Sequence, residues 1–223
     1  MKRLLAVVGA VAALAAGDIS AAVVSGSITF LTRRGQRPVM NETVIWLEPV
    51  GGRPVRPSAQ KTEMVTRSKT LFPHVMALPA GSTVDFPNED PISHNLFSLS
   101  TGNSFDLGLY RRGTSKSRTF DKPGVVNVYC NVHPNMSAVI HVMPTPYYGF
   151  ADAQGRYSIE VPPGRYRLVA WNELGGTTES TIEVREGGVE GNVALTIDSR
   201  NFRFVQHTNK HGRPYRAPTS REY

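Results

Sequence analysis

Two short stretches hold most of the chemistry that this 223-residue chain could perform. Tyr129-Cys130-Asn131-Val132-His133-Pro134-Asn135-Met136 carries the single cysteine, and Phe86-Pro87-Asn88-Glu89-Asp90-Pro91-Ile92-Ser93-His94-Asn95 delivers a histidine from a turn-rich loop. Thiolate and thioether are soft donors and imidazole is borderline. A set of Cys130, His94 and His133 with Met136 as a weak fourth donor is the combination that suits copper cycling between two charge states. Zinc would prefer a harder or second anionic fourth ligand. A lone cysteine excludes an internal disulfide and any four-cysteine zinc or iron–sulfur site. Metal coordination would shield such a thiol from oxidants, whereas a plain core cysteine would need no neighbours of this kind.

The elements that must place these residues are β-strands. Alternating runs recur between Gly, Pro, Asn and Asp punctuation: Val44 to Leu47, Thr83 to Phe86, Val125 to Cys130, Ala138 to Val142, Tyr157 to Ile159 and Tyr166 to Val169. No stretch keeps a helical period, so the fold class is all-β, built of sandwiches or barrels. Val126, Val128 and Cys130 share one strand face, expected to be the core face. The five residues Asn131 to Asn135 then make a tight connection able to aim Cys130, His133 and Met136 at one point. His74 and His141 read as ordinary strand histidines, Met136 has packing as its plain alternative, and Tyr129 points to the face opposite Cys130.

The Phe-Pro-Asn strand end, the His94-Asn95 step and the downstream Tyr-Cys-x2-His-x2-Met together resemble the cupredoxins, in particular the plastocyanin/amicyanin-like and methylamine utilisation-type members. The resemblance covers roughly Lys61 to Thr145. It implies a Greek-key β-sandwich holding one type 1 copper, with His94, Cys130 and His133 equatorial and Met136 axial. It further implies that Asn95 braces the ligand loop with its side-chain amide while its backbone N–H donates to the Cys130 sulfur, and that Pro91, Ile92 and Pro134 belong to an apolar patch around the second histidine. Amicyanin has a proline where this chain has Val132, whose N–H would be a further donor to the sulfur.

A second resemblance lies outside that stretch. Asp152-Ala153-Gln154-Gly155-Arg156-Tyr157 followed by Pro163-Gly164-Arg165-Tyr166-Arg167-Leu168 is similar to carboxypeptidase-regulatory-like, transthyretin-type β-sandwiches, and the opening Gly26 to Phe30, the Gly35 to Pro38 turn and Thr43 to Leu47 fit the start of such a domain. The expected order is a signal peptide over 1–22, a smaller discontinuous sandwich of 23–58 and 146–200, a cupredoxin domain over 59–145 inserted into it, and a basic tail over 201–223. The competing order is tandem, with 23–58 supplying extra cupredoxin strands.

Residues 1–22 carry Lys2 and Arg3, an apolar run from Leu4 to Ala16 and small residues at 20–22, the pattern of an export signal too short to span a bilayer. The expected location is therefore periplasmic or secreted, with no membrane span after cleavage. The formal charge of +7 falls to +6 when Lys2, Arg3 and Asp18 are removed. Basic residues concentrate after Arg200, a segment read as a poorly ordered or strand-like end, and on Arg111, Arg112, Lys116 and Arg118. The latter group hints at an acidic redox partner, beside the plainer reading of a solvated charged face. Nucleic acid is not an expected target. The functional expectation is an electron carrier and not an enzyme, because four protein ligands leave no open position. A copper-delivery protein and an adhesion or carbohydrate-binding sandwich with a vestigial copper module are the alternatives.

Overall fold

The computed structural model describes residues 21–51, 55–186 and 188–215. The export signal read over 1–22 lies outside them except for its end, and Ala22 is already the first residue of a strand. The described chain is all-β, with one short 3-10 turn at Met40–Glu42 as its helical exception. No described helix is long and apolar enough to cross a membrane.

Strands β1 (Ala22–Leu31) and β2 (Val44–Pro49) precede β3 (Lys61–Glu63), β4 (Val65–Arg67), β5 (Thr70–Phe72), β6 (Val75–Pro79), β7 (Ser82–Pro87), β8 (Leu96–Ser98), β9 (Phe105–Asp106), β10 (Ser115–Phe120), β11 (Gly124–Cys130) and β12 (Ser137–Met143). After them come β13 (Tyr148–Phe150), β14 (Arg156–Val161), β15 (Gly164–Asn172), β16 (Gly176–Val184) and β17 (Val189–Asp198). Pairing divides these strands into two groups. The first two strands and the last five form a three-stranded sheet, β14-β1-β17, and a four-stranded sheet, β13-β2-β15-β16. The strands between them form β6-β12-β11-β8-β9, β10-β7-β3 and the small hairpin β4-β5. Thus Val44 to Pro49 pairs with β13 and β15, from the far end of the sequence, and with no strand between β3 and β12.

Each group has its own apolar core. Val126, Val128 and Cys130 on β11 meet Phe86, Leu96 and Phe120 in the central group, all fully buried. Ile28, Ile45, Leu47, Leu168 and Ile197 do the same in the flanking group. Each such side chain contributes about 1.5–3 kcal/mol of burial. A smaller cluster of Val44, Val75, Val139, Met143 and Trp171 contains residues of both groups, so they meet through packed side chains.

The motifs behind the second resemblance have local physical causes. The Asp152 carboxylate accepts the N–H groups of Gln154 and Arg156, and Gly155 sits at φ +79° in the turn this creates. A Cβ at 155 would lie 2.6 Å from the Ile28 carbonyl oxygen, which only glycine avoids. Gly26 is tighter still: β1 there runs beside Val193 at a bulge, and a Cβ would fall 1.8 Å from that residue's carbonyl oxygen. The Tyr166 hydroxyl donates to the Pro162 carbonyl at 2.8 Å and so fastens the turn that precedes β15.

Candidate metal centre

The cysteine loop is the end of a hairpin. β11 and β12 pair in register from Gly124↔Val142 to Tyr129↔Ser137, and the hairpin closes with the Cys130 N–H on the Met136 carbonyl (3.1 Å) and the Met136 N–H on the His133 carbonyl (3.2 Å). This explains the spacing Cys-x2-His-x2-Met: one residue ends the strand, the next is at the tip, and the last returns to the core. Cys130 is buried in the central core, as the alternation along β11 predicts, and Met136 at the end of the loop is buried there too.

His94 arrives from the other side of the same sheet. Its backbone N–H and carbonyl exchange hydrogen bonds with Tyr110, and Leu96, two residues on, pairs with Cys130. The side chains then converge. The Cys130 sulfur lies 3.6 Å from Nδ1 of His94 and 3.6 Å from Nδ1 of His133, and the two ring nitrogens are 3.1 Å apart. The point equidistant from all three atoms is about 2.0 Å from each, the length of a metal–nitrogen bond. These three residues are the cluster of potential metal donors found among the described residues.

The state of His94 is set from behind. Its Nε2 is 2.9 Å from the Asp90 carboxylate and, facing an acceptor, carries the ring proton, which leaves Nδ1 as a bare lone pair aimed at the sulfur and at His133. Asp90 is itself almost fully buried and receives the backbone N–H groups of Ser68 (2.5 Å) and Lys69 (2.8 Å). Ser68 and Lys69 form the two-residue turn of the β4-β5 hairpin, both at positive φ (53° and 55°), and that turn points two adjacent N–H groups at one anion. Burial alone would raise the Asp90 carboxyl; the Lys69 N–H, the His94 ring and the Ser68 N–H outweigh it and hold the group below the ordinary carboxylate range. On the other histidine, burial and then the proximity of His94 push His133 below its ordinary value, favouring the neutral ring that a metal requires. A buried thiol facing two imidazole nitrogens, one of them left as an acceptor because the ring proton sits on Nε2 toward the Asp90 carboxylate, fits a soft cation.

No family model matches this chain, and no curated protein matches it. Solved structures are similar to parts of it. A purple cupredoxin from Nitrosopumilus maritimus is 23% identical over 39% of this chain and 100% of its own, with a TM-score of 0.34. A reduced amicyanin variant is 18% identical over 36% of this chain and 80% of its own, TM-score 0.35. A copper-containing nitrite reductase from Thermus scotoductus SA-01 is 22% identical over 52% of this chain and 28% of its own, TM-score 0.36.

The structure brings His94, Cys130 and His133 together and buries Met136 in the same core. It corrects the expectation for Asn95. The Asn95 amide donates to the Asp106 carboxylate (2.6 Å) and not to the ligand loop, and the brace on that loop is its backbone carbonyl, which accepts the Asn131 N–H at 2.8 Å. The cause is the β8–β11 ladder, which continues one step past Cys130↔Leu96 and turns the Asn95 backbone toward Asn131. Among the described contacts the sulfur has the two ring nitrogens as hydrogen-bond-distance neighbours, with no N–H from Asn95 or Val132. The described part of the basic end, to Tyr215, runs beside the cysteine loop without regular strand. Asp90 was missed by the sequence reading, although its place four residues before His94 in a proline-flanked loop was a usable signal.

His74 and His141 are not part of the centre. His74 bridges the two groups of strands, with Nε2 2.7 Å from Glu173 and Nδ1 3.2 Å from the Ser137 carbonyl. His141 is buried between Trp46 and Trp171, with ring centroids 5.9 and 4.2 Å away.

Proposed function

We propose that the chain is an exported type 1 copper protein that carries single electrons between redox partners, with His94, Cys130, His133 and Met136 as the residues that would hold the copper. The observation that carries this reading is the convergence of one thiol and two imidazole nitrogens while the outer nitrogen of His94 is committed to Asp90. Copper bound there would supply a one-electron couple. Asp90 holds the His94 ring in one tautomer and one orientation. The core around Phe86, Leu96 and Met136 keeps water from the sulfur. His133 lies at the edge of the centre, only partly buried, and exposed Pro91, Ile92, Val132 and Pro134 on the two ligand-bearing loops supply an apolar rim there for close approach of a partner. The exposed Arg111, Arg112, Lys116 and Arg118 suit a partner with an acidic face.

In this reading the copper module is inserted into a surface loop of the flanking sandwich, consistent with the pairing of β2 with β13 and β15. The test is to reconstitute the mature chain with Cu(II) and record visible and electron-paramagnetic spectra. An intense thiolate-to-copper band with a narrow hyperfine splitting is expected. A colourless product with an ordinary tetragonal copper signal would overturn the assignment.

A further inference from the structure

The C-terminal segment makes more contacts with the ligand loop than any solvated tail would need. It leaves β17 at Asp198, and the next residue, Ser199, is fully buried, with its hydroxyl on the Leu31 carbonyl at 3.0 Å. The Arg33 guanidinium then donates to the Phe202 carbonyl at 2.5 Å. From these anchors on the flanking sandwich the chain crosses to the cysteine loop. The Gln206 amide donates to the Pro134 carbonyl, the Lys210 N–H donates to the Asn131 side-chain carbonyl (3.0 Å), and the Tyr215 hydroxyl donates to the Cys130 carbonyl (2.7 Å). The His207 ring stacks on Tyr129 at 4.0 Å and 14°. Lys210 also pairs with Asp106, the carboxylate whose other oxygen holds the Asn95 amide, so the residue next to His94 is tied in as well.

The segment has structure of its own. Asn209 organises a turn in which its side-chain oxygen takes the N–H groups of His211 and Arg213, with Gly212 at φ +70°. That turn sends Tyr215 back toward Cys130. Between the anchors and the loop the segment arches over a cleft of about 460 Å³ lined by Tyr129, Asn135, Glu173 and Arg203, and Phe204 and Val205 there are 75% and 79% exposed. The hold on the loop therefore consists of one aromatic stack and a few directed hydrogen bonds, with little apolar burial from the arch itself.

We propose that residues 202–215 are a clamp on the metal-binding loop. They fix Cys130, Asn131 and Pro134 from outside, as Asp90 fixes His94 from inside, and they make the flanking sandwich a mechanical part of the centre. The proposal rests on reading His94, Cys130 and His133 as a metal centre, because a clamp on a loop without ligands would have no such purpose. A centre whose ligands cannot spread keeps its geometry when its charge changes and gives up its metal slowly.

The test compares the intact mature chain with two variants, a chain ending at Asn201 and a full-length Gln206→Ala/Tyr215→Phe double variant, which removes the two side-chain hydrogen bonds to the loop carbonyls. Amide hydrogen exchange is followed in the metal-free proteins at Cys130, Asn131 and Met136, and loss of copper from the loaded proteins is followed with a Cu(I) chelator. Both variants are expected to exchange those three amides about tenfold faster while amides of β12 and β15 stay protected, and to lose copper about tenfold faster. Unchanged loop exchange in the double variant overturns the clamp. Exchange in the metal-free chain is read independently of copper, so a chain that binds no copper at all would overturn the assignment of the centre and leave the exchange result to decide whether the loop is held.

Discussion

Two buried histidines, His94 and His141, lie in the same five-stranded region and have opposite fates. They are 0% and 3% exposed. His94 has its outer nitrogen on Asp90 and its inner nitrogen facing a thiol and a second imidazole. His141 has two indoles for neighbours and an Nε2 with no partner among the described residues. Burial alone thus says nothing about ligation. What distinguishes the two is a buried carboxylate behind the ring, which fixes where the proton sits and hence where the lone pair points. His141 is kept neutral in another way: burial pushes it down to about 4, so it is uncharged at physiological pH and serves as a polar-edged packing group between the two sandwiches.

The thiol on which His94 converges has no counterpart near His141. Cys130→Ser should abolish the thiolate-to-copper colour outright, because no second sulfur anion exists in the chain; a variant that kept its colour and spectrum would show that the convergence of His94 and His133 on Cys130 is packing. The next effect belongs to His141. Its folded value lies below its unfolded one, so the unfolded chain binds more protons between about pH 6.5 and 4, and stability must fall as pH falls through that window, by about 3 kcal/mol. Urea titrations across the window check this, and His141→Leu should flatten the profile; an equal acid slope in that variant would assign the loss elsewhere.

Asp90→Asn sharpens the same contrast from the other histidine. An amide in place of the carboxylate no longer compels His94 to put its proton on Nε2, and loss of such an outer partner lowers metal affinity by about 10–100-fold. Competition with a Cu(II) chelator measures it, and an unchanged affinity would reduce Asp90 to a structural anchor for the Ser68-Lys69 turn.

The residues of the candidate centre were legible in the sequence because their spacing is a strand-to-hairpin pattern: alternation puts Cys130 on the core face, and the loop length returns Met136 to it. The strands with apolar alternation were legible for the same reason. β10 was not, since Ser115 to Thr119 are exposed polar or basic residues on a sheet edge and Phe120 is its one buried side chain. β16 hides similarly in Thr, Glu and Ser, where pairing with β15 and not burial makes the strand. The partner of Asn95 was misread because a side chain's nearest carboxylate depends on β9, a two-residue strand with no periodicity to detect. The course of residues 202–215 was hidden because their composition is that of a solvated end, and only the positions of Asn131, Pro134 and Cys130 in space give those polar groups partners.

The smallest effect concerns the other histidine that joins the two groups of strands. The hydrogen bond to Glu173 raises His74 above its ordinary value, with burial opposing. A raised folded value means that its contribution is complete below about pH 6.5 and is lost as pH rises through the folded value, the reverse of His141. His74 and Glu173 side chains are 30% and 42% exposed, so screening limits the pair to less than about 1 kcal/mol. Glu173→Gln should therefore cost more stability at about pH 5.5 than at a pH above the raised folded value, where the imidazole has lost its charge in both states. Urea midpoints at the two values read the difference directly, and an equal loss at both would mean that Glu173 holds the neutral ring as a plain hydrogen-bond acceptor, leaving His141 as the sole source of pH dependence at the junction.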